Sequence, residues 1–370
     1  MKFTCLSENL NKGLSTVSKA VPIKSALPVL TNVLLSTHDG RLQLSATNLD
    51  MAITTYVGAS VVQDGSITIP ARILGEFVSH LSPVTLVCHL KGGVLHVDSE
   101  RAKSKFNGTA ATDFPELPAM PQEGAVIELA PKDFAAAVNS VVFSASIDEN
   151  RPVLTGVFLS LIGDVLTFAG SDGYRLSERV LSVGSTSSDF SVVVPAKTLS
   201  EIARVLGASE DPIKMAISPQ DNLVLFEGGN VLISSRIIDG NFPDHKKIIP
   251  AEHALSAEFA SSDLLEAVKL ANVFAKKDAG SVVKLTFDPK GKVSVASARE
   301  EVGENNTEFL ATVKGDALEL SFNSKYLLDL LNNVKAEKLR FETNGGLSAC
   351  VLKPAGQQEY LHIIMPMRQS

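Results

Sequence analysis

Apolar residues recur at helical spacing in three separate stretches of the chain. Leu10, Leu14, Val17 and Val21 follow one another in steps of four, three and four residues, which gathers them on one face of a helix. The same steps recur in two further quartets, offset by 124 and then 130 residues: Phe134, Val138, Val141 and Ala145, and then Leu264, Val268, Ala271 and Ala275. The pattern predicts one amphipathic helix in three copies, and Pro131 suits the first turn of the second copy.

A second helical pattern is also present three times. The three segments read IPARILGEFV over 69–78, VPAKTLSEIA over 194–203 and FNSKYLLDLL over 322–331. Their apolar positions match in register: Pro70, Leu74, Phe77, Val78 and Leu81, then Pro195, Leu199, Ile202, Ala203 and Leu206, then Asn323, Leu327, Leu330, Leu331 and Val334. Each copy therefore carries two predicted helices in the same order.

Alternating apolar and polar residues around turn signals predict a hairpin between the two helices of each copy and another after the second helix. The first set breaks at Asp39-Gly40, Gly163-Asp164 and Pro289-Lys290-Gly291, and the second at Gly92-Gly93, Asp221-Asn222 and Asn344-Gly345-Gly346. One matched helix could arise by chance, because amphipathic helices are common. Two helices and two hairpins in the same order, three times, favour a true repeat.

The repeat length of roughly 120–130 residues suits a domain rather than a solenoid unit. Proline-rich stretches, Phe114-Pro115 to Pro121 and Phe242-Pro243 to Pro250, predict extended linkers between copies. We therefore predict an α+β protein of three similar domains, 1–121, 126–250 and 255–370, each with two helices on one face of antiparallel sheets.

Composition narrows the class of protein. Three distant cysteines, Cys5, Cys88 and Cys350, argue against a disulfide framework or a zinc ribbon. With no signal-peptide pattern and no long apolar run, we expect a soluble cytoplasmic protein with no membrane partner.

The distribution of charge changes the meaning of the net charge of −7, which by itself weighs against nucleic acid. The helix windows 8–21, 71–82, 131–146, 195–207, 263–277 and 323–335 hold eleven basic and seven acidic residues, so they are net +4 while the rest of the chain is −11. A basic helical face would attract phosphates without reading sequence. The alternative is that Lys and Arg are simply good helix formers on solvated faces.

Signals for catalysis are weak. Phosphate-binding loops, a zinc-protease helix motif and a serine nucleophile elbow are all absent. A metal-dependent nuclease using Asp148, Glu149 and Asp172 is an alternative, but such acids occur by chance in a chain with 41 of them. We expect no enzyme activity, no metal and no cofactor.

Two segments are difficult to explain as core. The segment Ser171-Asp172-Gly173-Tyr174-Arg175-Leu176 combines a turn with an aromatic and a basic residue typical of contact surfaces. The C-terminal segment, residues 363–370, is apolar and carries two methionines around a proline, which suits a groove that accepts varied partners. A final core strand is the alternative for Ile363 and Ile364.

At these segments the chain resembles the beta subunit of bacterial DNA polymerase III, the sliding clamp family. The motifs that carry the resemblance run in order along the whole chain: MKFT at the start, RPVLTGV at 151–157, SDGYRLSE at 171–178, DGNFPDHKKIIP at 239–250, FNSKYLLDLL at 322–331 and IIMPMR at 363–368. The resemblance implies a DNA clamp fold, assembled as a head-to-tail homodimeric ring around double-stranded DNA without sequence preference. It also implies a processivity factor that tethers the DNA polymerase III catalytic subunit, clamp-loader subunits and other replication and repair proteins through short linear peptides.

The resemblance further implies roles for individual residues. The peptide groove would comprise Leu154, Ser171, Gly173, Tyr174, Arg175, Leu176, Pro243, Lys247, Ile248, Asn323, Tyr326, Leu347, Ile363, Ile364, Met365, Pro366, Met367 and Arg368. The tail Gln369-Ser370 departs from the single apolar end that is commoner in the family. DNA would be contacted by Lys24, Arg72, Lys197, Lys12 and Lys132, and the dimer seam would contain Phe106, Val273 and Phe274. A monomeric peptide-binding scaffold that never encircles DNA remains a further alternative.

Overall fold

The structure is a computed structural model that describes residues 1–38, 40–121, 126–184, 189–275, 281–299 and 301–368. It divides into two compact units, the first comprising Met1–Phe134 with Glu201–Ile237 and the second comprising Ala135–Ser200 with Ile238–Ser370. Four groups of residues used in the sequence predictions, Asp39, Lys276, Lys277 and Gln369-Ser370, lie outside the described residues. Among the helices that are described, none combines the length and the apolar character needed to cross a membrane.

The order of elements repeats three times. Each repeat runs strand, helix, four or five strands, helix and three strands. The first repeat contains β1 (Lys2–Leu6), α1 (Ser7–Val17), β2 (Asn32–His38), β3 (Arg41–Thr47), β4 (Met51–Val57), β5 (Ala59–Gln63), β6 (Gly65–Pro70), α2 (Ala71–Ser79), β7 (Thr85–Lys91), β8 (Val94–Asp98) and β9 (Lys103–Asn107).

The other two repeats follow the same order. The second contains β10 (Val126–Leu129), α3 (Pro131–Val141), β11 (Gly156–Ile162), β12 (Val165–Ser171), β13 (Arg175–Ser182), β14 (Phe190–Pro195), α4 (Ala196–Leu206), β15 (Ile213–Ser218), β16 (Leu223–Gly228) and β17 (Val231–Arg236). The third contains β18 (Leu255–Ala260), α5 (Ser261–Phe274), β19 (Val282–Asp288), β20 (Lys292–Arg299), β21 (Gly303–Leu310), β22 (Thr312–Lys314), β23 (Leu318–Asn323), α6 (Ser324–Asn333), β24 (Lys338–Thr343), β25 (Cys350–Pro354) and β26 (Tyr360–Ile364).

All six predicted hairpins are present as antiparallel pairs: β2–β3, β7–β8, β11–β12, β15–β16, β19–β20 and β24–β25. In the turn between β7 and β8, Gly92 and Gly93 both have positive φ, of 57° and 77°. Residues with a side chain rarely adopt a positive φ, so two consecutive glycines are expected at this turn. The hairpin predictions are therefore confirmed, apart from Asp39, which is not described.

The six predicted hairpins account for twelve of the 26 strands that the structure describes, so the sequence patterns missed many strands, and they also overextended the helices. A strand precedes the first helix of each repeat, and the helices end before Val21, Leu81 and Ala145. Ala145 nevertheless stays buried, because the chain continues through a short 3-10 turn, Val142–Ser144, along the same apolar surface. The predicted linker 242–250 likewise contains a 3-10 turn, His245–Ile248, and is not extended throughout.

Strand pairing joins segments from different repeats within each unit. The first unit has a five-stranded sheet in the order β5-β1-β7-β8-β9 and an eight-stranded sheet in the order β10-β15-β16-β17-β4-β3-β2-β6. The second unit has a nine-stranded sheet, β14-β11-β12-β13-β26-β25-β24-β18-β22, and a four-stranded sheet, β21-β20-β19-β23. Because the pairs β17–β4 and β13–β26 cross repeat boundaries, three repeats are distributed over two compact units.

Helices pack on the sheets through the predicted apolar faces. In the first unit α1 contacts α2 and β4, and in the second unit α5 contacts α6, β20 and β21. The second-unit core includes Phe287 stacked on Phe341 at a centroid distance of 4.6 Å. Burial of large apolar side chains on one helix face is the main favourable contribution to such packing.

Two leucines of α5 provide a matched test of that packing. Leu264 is fully buried, whereas Leu270 on the same helix is 43% exposed. We expect Leu264→Ala to lower the free energy of unfolding of the second unit by about 2–5 kcal/mol, because it removes buried methyl groups and leaves a cavity. Leu270→Ala should cost less than about 1 kcal/mol. Urea denaturation followed by circular dichroism measures both, and equal losses would contradict the assigned helix face.

Candidate functional site

The turn between β12 and β13 is held by its own side chains. The Ser171 hydroxyl donates to the Arg175 carbonyl (2.7 Å) and accepts the Gly173 N–H (3.1 Å). One oxygen of the Asp172 carboxylate accepts the N–H groups of Tyr174 and Arg175, at 2.9 and 3.0 Å. Gly173 has φ +93°, and a Cβ there would lie 3.1 Å from a guanidinium nitrogen of Arg151. The Ser171 hydroxyl, the Asp172 carboxylate and the positive φ of Gly173 therefore fix this turn, and Tyr174 lies at its tip.

Arg175 points into the protein. Its guanidinium donates to Asp172 (3.1 Å), to Asp329 on α6 (2.6 Å) and to the carbonyl of Phe143 (2.6 Å). It also lies 4.4 Å from the centroid of the Tyr326 ring. Two carboxylates and an aromatic face together compensate for burying this charge. The sequence suggested a contact surface for Arg175, whereas the structure makes it an internal tie between the turn and α6.

The C-terminal segment continues directly from this turn. In the register of β13 and β26, Arg175 lies opposite Ile364 and Leu176 lies opposite Ile363. Beyond β26 the Met365 N–H donates to the Tyr174 carbonyl (2.9 Å), and the Met367 N–H donates to the carbonyl of Ser321 (2.7 Å). The segment is thus anchored at both methionines by backbone hydrogen bonds, although chain ends commonly fray.

Apolar side chains remain exposed around this anchored segment. Tyr174 is 65% exposed, Ile248 and Leu347 are each 49% exposed, and Met365 is 36% exposed. Nearby, Ala169, Leu176, Val351 and Ile363 form a buried apolar cluster, and Ile249 and Ala349, close in sequence to Ile248 and Leu347, pack against it. Leu154 is also buried. The segments that carry these exposed apolar residues are therefore fixed by packing and by backbone hydrogen bonds, and fixed exposed apolar residues are typical of surfaces that bind other molecules. We call the surface formed by Tyr174, Ile248, Leu347 and residues 365–368 the groove.

The linker side of the groove is held by a histidine. His245 in the 3-10 turn hydrogen-bonds through Nε2 to the Glu178 carboxylate on β13 at 2.6 Å, and both side chains are largely buried. Phe242 stacks on Phe158 at 5.3 Å. These contacts fix the turn that carries Ile248. Lys247 is exposed and pairs with Asp244 at 3.0 Å, and this hydrogen bond lowers the pKa of the Asp244 carboxyl.

Side chains of β13 and β26 form a buried polar cluster with Ser144. The Ser177 hydroxyl is 2.7 Å from that of Ser144, 3.3 Å from that of Tyr360 and 2.9 Å from Nδ1 of His362. His362 is completely buried, and its Nε2 has no hydrogen-bond partner among the described residues. Burial, reinforced by the positive charge of Arg175, lowers the pKa of His362 to about 3. The imidazole is therefore neutral in the folded protein at neutral pH.

The remaining predicted site residues are distributed over both units. Lys24, Arg72, Lys197, Lys12 and Lys132 are all exposed, the last four on α2, α4, α1 and α3. Val273 at the end of α5 is 70% exposed, and Phe274 beside it is partly buried. Phe106 on β9 is mostly buried against Phe77, edge to face at 5.3 Å, so it can offer only a small area to a partner.

The acids considered for metal chemistry have local structural roles. Asp172 binds Arg175, and Asp148 accepts hydrogen bonds from the backbone and side chain of Asn150 at 3.0 and 2.8 Å. Within the described ranges, no three His, Cys, Asp or Glu residues are grouped so that they could hold a metal ion. The nuclease alternative has no geometric support in these residues.

Some residues of the site had no signal in the sequence. Asp329 is 154 residues from Arg175, and Phe143 contributes a backbone carbonyl and a ring. Asp329 lies within the motif FNSKYLLDLL, but no pattern indicated that it would pair with Arg175, and Phe143 stands in none of the motifs. Only the tertiary fold brings both residues to the turn. Glu178 and His245 were within the motifs that carried the resemblance, but no pattern indicated that they would pair.

The buried histidine gives a test by pH. Its folded-state pKa of about 3 lies below the ordinary value of 6.5, so the folded state binds fewer protons and stability falls as pH drops from about 6.5 toward 3. Asparagine does not titrate, so the free energy of unfolding of His362→Asn should fall less steeply in this pH range. We expect its slope against pH to be shallower than that of the wild type by about 1 kcal/mol per pH unit. The exposed His253→Asn should leave the slope unchanged. Urea denaturation at several pH values measures the slopes, and identical slopes for all three proteins would contradict the buried neutral state.

Comparisons with known proteins agree with this architecture. The sequence matches the N-terminal, central and C-terminal domains of the DNA polymerase III beta subunit over residues 1–118, 128–244 and 246–368. It is 31% identical to the beta sliding clamp of Synechococcus elongatus, over 100% of this chain and 99% of that protein, and 27% identical to that of Bacillus subtilis, over 100% of both.

Crystal structures extend the likeness to the fold. The Bacillus subtilis sliding clamp superposes with a TM-score of 0.96 at 26% identity, and the Pseudomonas aeruginosa sliding clamp determined bound to griselimycin superposes with a TM-score of 0.94 at 26% identity. Both alignments cover 100% of each chain. The repeated α+β domains, the collinear motifs and the full-length matches lead to one conclusion: the chain belongs to the DNA polymerase III beta subunit family, the non-catalytic sliding clamps that act with DNA and the replicative polymerase.

Proposed function

We propose that two copies of this chain form a head-to-tail ring around double-stranded DNA and that the groove of each copy holds the DNA polymerase III catalytic subunit by a short linear peptide. The observation that carries the peptide assignment is the exposure of four apolar side chains, Tyr174, Ile248, Leu347 and Met365, on segments that backbone hydrogen bonds hold in place. Apolar pockets for one or two anchor side chains, surrounded by polar residues, suit peptide recognition.

Polar and basic residues surround these apolar side chains. Lys247 and Arg368 are exposed, and Asn323 caps α6 by accepting the Lys325 N–H at 2.9 Å. Arg175 is compensated internally by Asp172 and Asp329, so its role in the groove is to position the turn. The basic rim favours peptides that carry an acidic side chain beside their apolar anchors.

The way in which strands of successive repeats pair supports the ring. The fourth strand of the first repeat, β4, pairs with the last strand of the second, β17, and β13 of the second repeat pairs in the same way with β26 of the third. The equivalent strands left over are β21 of the third repeat and β9 of the first, and each ends its sheet. An unpaired strand edge is a template for another chain. We infer that β21 of one copy pairs with β9 of the other, which gives two heterologous contacts and a closed dimer.

The residues predicted at the dimer seam fit this pairing. Phe106 belongs to β9, and Val273 and Phe274 end α5, which packs against β21. Val273, at 70% exposed, has the most area to contribute.

Exposed basic side chains on the helices support a loose, sequence-independent grip on DNA. Lys12, Arg72, Lys132 and Lys197 are exposed on four different helices, and Lys24 is exposed in an irregular segment. Phosphate contacts by such residues position a duplex without reading its bases. Asp148, which matches Lys24 at the repeat offset of 124 residues, would repel phosphate, so we assign no DNA contact to that residue.

Further partners follow from the same groove. We propose that clamp-loader subunits and other replication and repair proteins compete for it through similar peptides, in the cytoplasm where replication occurs. A monomeric peptide-binding scaffold is the competing function, and it differs from the proposal in mass and in its behaviour on DNA.

The groove assignment is tested with labelled peptides tiled along the DNA polymerase III catalytic subunit. We expect the tightest of these peptides to lose at least about fivefold in affinity for Tyr174→Ala, because truncating an aromatic anchor commonly costs more than about 1 kcal/mol. Tyr56→Ala removes another exposed tyrosine, on β4 in the first unit, and should leave the affinity unchanged. Fluorescence anisotropy measures the dissociation constants.

Removal of residues 365–370 gives an independent check, since it deletes both anchored methionines. The truncated protein should lose peptide binding and keep the native mass of the full chain. Unchanged peptide affinity in either the truncated protein or Tyr174→Ala would refute the groove assignment.

The ring is tested by its behaviour on DNA. We expect the wild-type protein to have twice the 39.3 kDa mass of the chain in native mass spectrometry, and to stay on closed circular DNA after loading but to leave linear DNA. Val273→Glu inserts a charge at the proposed seam and should lower the native mass to 39.3 kDa and abolish retention on circles. Equal retention of the wild type on circular and linear DNA would contradict topological binding, and a wild-type monomer would favour the scaffold.

A further inference from the structure

A second cleft lies within the first unit, where β4 and β17 pair. It has a volume of about 570 Å³ and is lined by Thr47, Leu49 to Ala52, Pro115 to Ala119, Asp221, Leu223, Ser234 and Arg236. That volume falls in the range of about 300–1,000 Å³ common for ligand sites in proteins. The residues predicted for the groove include none of those that line this cleft.

The turn at the edge of the cleft repeats the turn of the groove bond for bond. The Thr47 hydroxyl donates to the Met51 carbonyl (2.9 Å) and accepts the Leu49 N–H (3.0 Å), as the Ser171 hydroxyl does for Arg175 and Gly173. Asn48 accepts the N–H groups of Asp50 and Met51 at 3.0 and 2.8 Å, as Asp172 does for Tyr174 and Arg175. Leu49 has φ 76°, matching Gly173 at 93°. Asp50 therefore occupies the place of Tyr174.

The other walls correspond in the same way. The backbone N–H of Arg236 donates to the Asp50 carbonyl at 2.8 Å, as the backbone N–H of Met365 does to the Tyr174 carbonyl. Arg236 therefore takes the place of Met365. Phe114-Pro115 begins the wall equivalent to Phe242-Pro243, and Asp221 belongs to the turn equivalent to the one before Leu347. The cleft is thus built from the same pieces as the groove, one repeat earlier.

The chemistry of the cleft differs from that of the groove. Asp50, Glu116 and Asp221 are exposed acids on its walls, and Arg236 is the basic residue among those that line it. The Nε of Arg236 is directed at the Leu49 carbonyl, at 3.1 Å, so its side chain lies along the wall. Leu49, Pro115 and Leu117 supply apolar surface beside the acids. The cleft combines an apolar wall with a net negative charge, whereas the groove has an aromatic tip and a basic rim.

We propose that this cleft is a second docking site, for a short linear peptide that carries lysine or arginine beside an apolar anchor. The assignment rests on the proposed function in one respect: the duplicated turn is interpreted as a peptide-docking geometry because the groove is. The acids Asp50 and Glu116 pair with the basic side chains of the peptide, and Leu49 contacts the anchor. The two sites of one chain thereby select peptides of opposite charge, so one partner segment cannot occupy both equally well.

The test uses a fluorescein-labelled hexapeptide of alternating leucine and lysine, and a matched peptide with glutamate in place of lysine, both titrated against the full chain. We expect the lysine peptide to bind more tightly than the glutamate peptide. The double variant Asp50→Asn with Glu116→Gln should weaken the lysine peptide by about fivefold, a typical effect of removing two exposed charge pairs. The control double variant Asp164→Asn with Glu210→Gln makes the same charge change at exposed sites outside the cleft and should alter the affinity less than about twofold.

A second variant separates the apolar contact from charge and from misfolding. Leu49→Asn removes the anchor contact and suits the positive φ of this position, because Asn tolerates that conformation. It should also weaken the lysine peptide. A photo-crosslinker at the centre of that peptide should label residues 47–52 or 115–119, as identified by mass spectrometry.

The results distinguish this site from the groove. Tyr174→Ala should leave the affinity for the lysine peptide unchanged, so a failure of the groove assignment does not remove the cleft. Equal weakening by both charge-changing double variants, no weakening by Leu49→Asn, or crosslinks confined to residues 365–368 would each overturn the proposal.

Discussion

Antiparallel pairing between strands of different repeats is the constraint on which the rest of the structure depends. The pair β13–β26 places Leu176 opposite Ile363 and continues past the strand end through the hydrogen bond from Met365 to Tyr174. Without that pairing β26 would keep only β25 as a strand neighbour, and Met365 would lose the backbone partner that holds it beside Tyr174. The pair β4–β17 does the same one repeat earlier, through Arg236 and Asp50. One rule of pairing, applied twice within the chain, produces both the groove and the cleft.

The turns of the groove and the cleft have the same backbone but different chemistry. The hydrogen bonds that fix each turn do not involve the side chain at its tip, so that side chain can vary. The turn requires a hydroxyl at its first position, an acceptor at its second and a positive φ at its third. Ser171, Asp172 and Gly173 meet these needs in one copy, and Thr47, Asn48 and Leu49 meet them in the other. The following residue is constrained only through its backbone, so it is Tyr174 in the groove and Asp50 in the cleft.

Buried polar and charged side chains stabilise the part of the second unit that carries the groove. Arg175 is neutralised by Asp172 and Asp329, and the Ser177 cluster surrounds a histidine that burial keeps neutral. Such groups are costly to bury unless they are paired, and a pairing that spans 154 residues ties α6 to the turn. The groove is accordingly a preformed surface, which lowers the entropic cost of binding a flexible peptide.

The sequence by itself determined the features that depend on neighbouring residues. The steps of apolar residues predicted all six helices, and glycine and asparagine turns predicted the six hairpins, because helix faces and turn conformations are set within a few residues. The same reasoning identified residues 171–176 and the C-terminal segment, and the resemblance carried by collinear motifs indicated the family.

Only the tertiary structure decided which strands of different repeats pair, that three repeats form two compact units, and that Arg175 points inward toward Asp329. The burial of Phe106 and His362 was likewise invisible in the sequence. Contacts across more than a hundred residues leave no local pattern, since either partner alone resembles an ordinary surface residue. The second cleft is another example. The sequence Thr47-Asn48-Leu49-Asp50 carries no signal of a binding site, and only the fold shows that this turn lines a cleft.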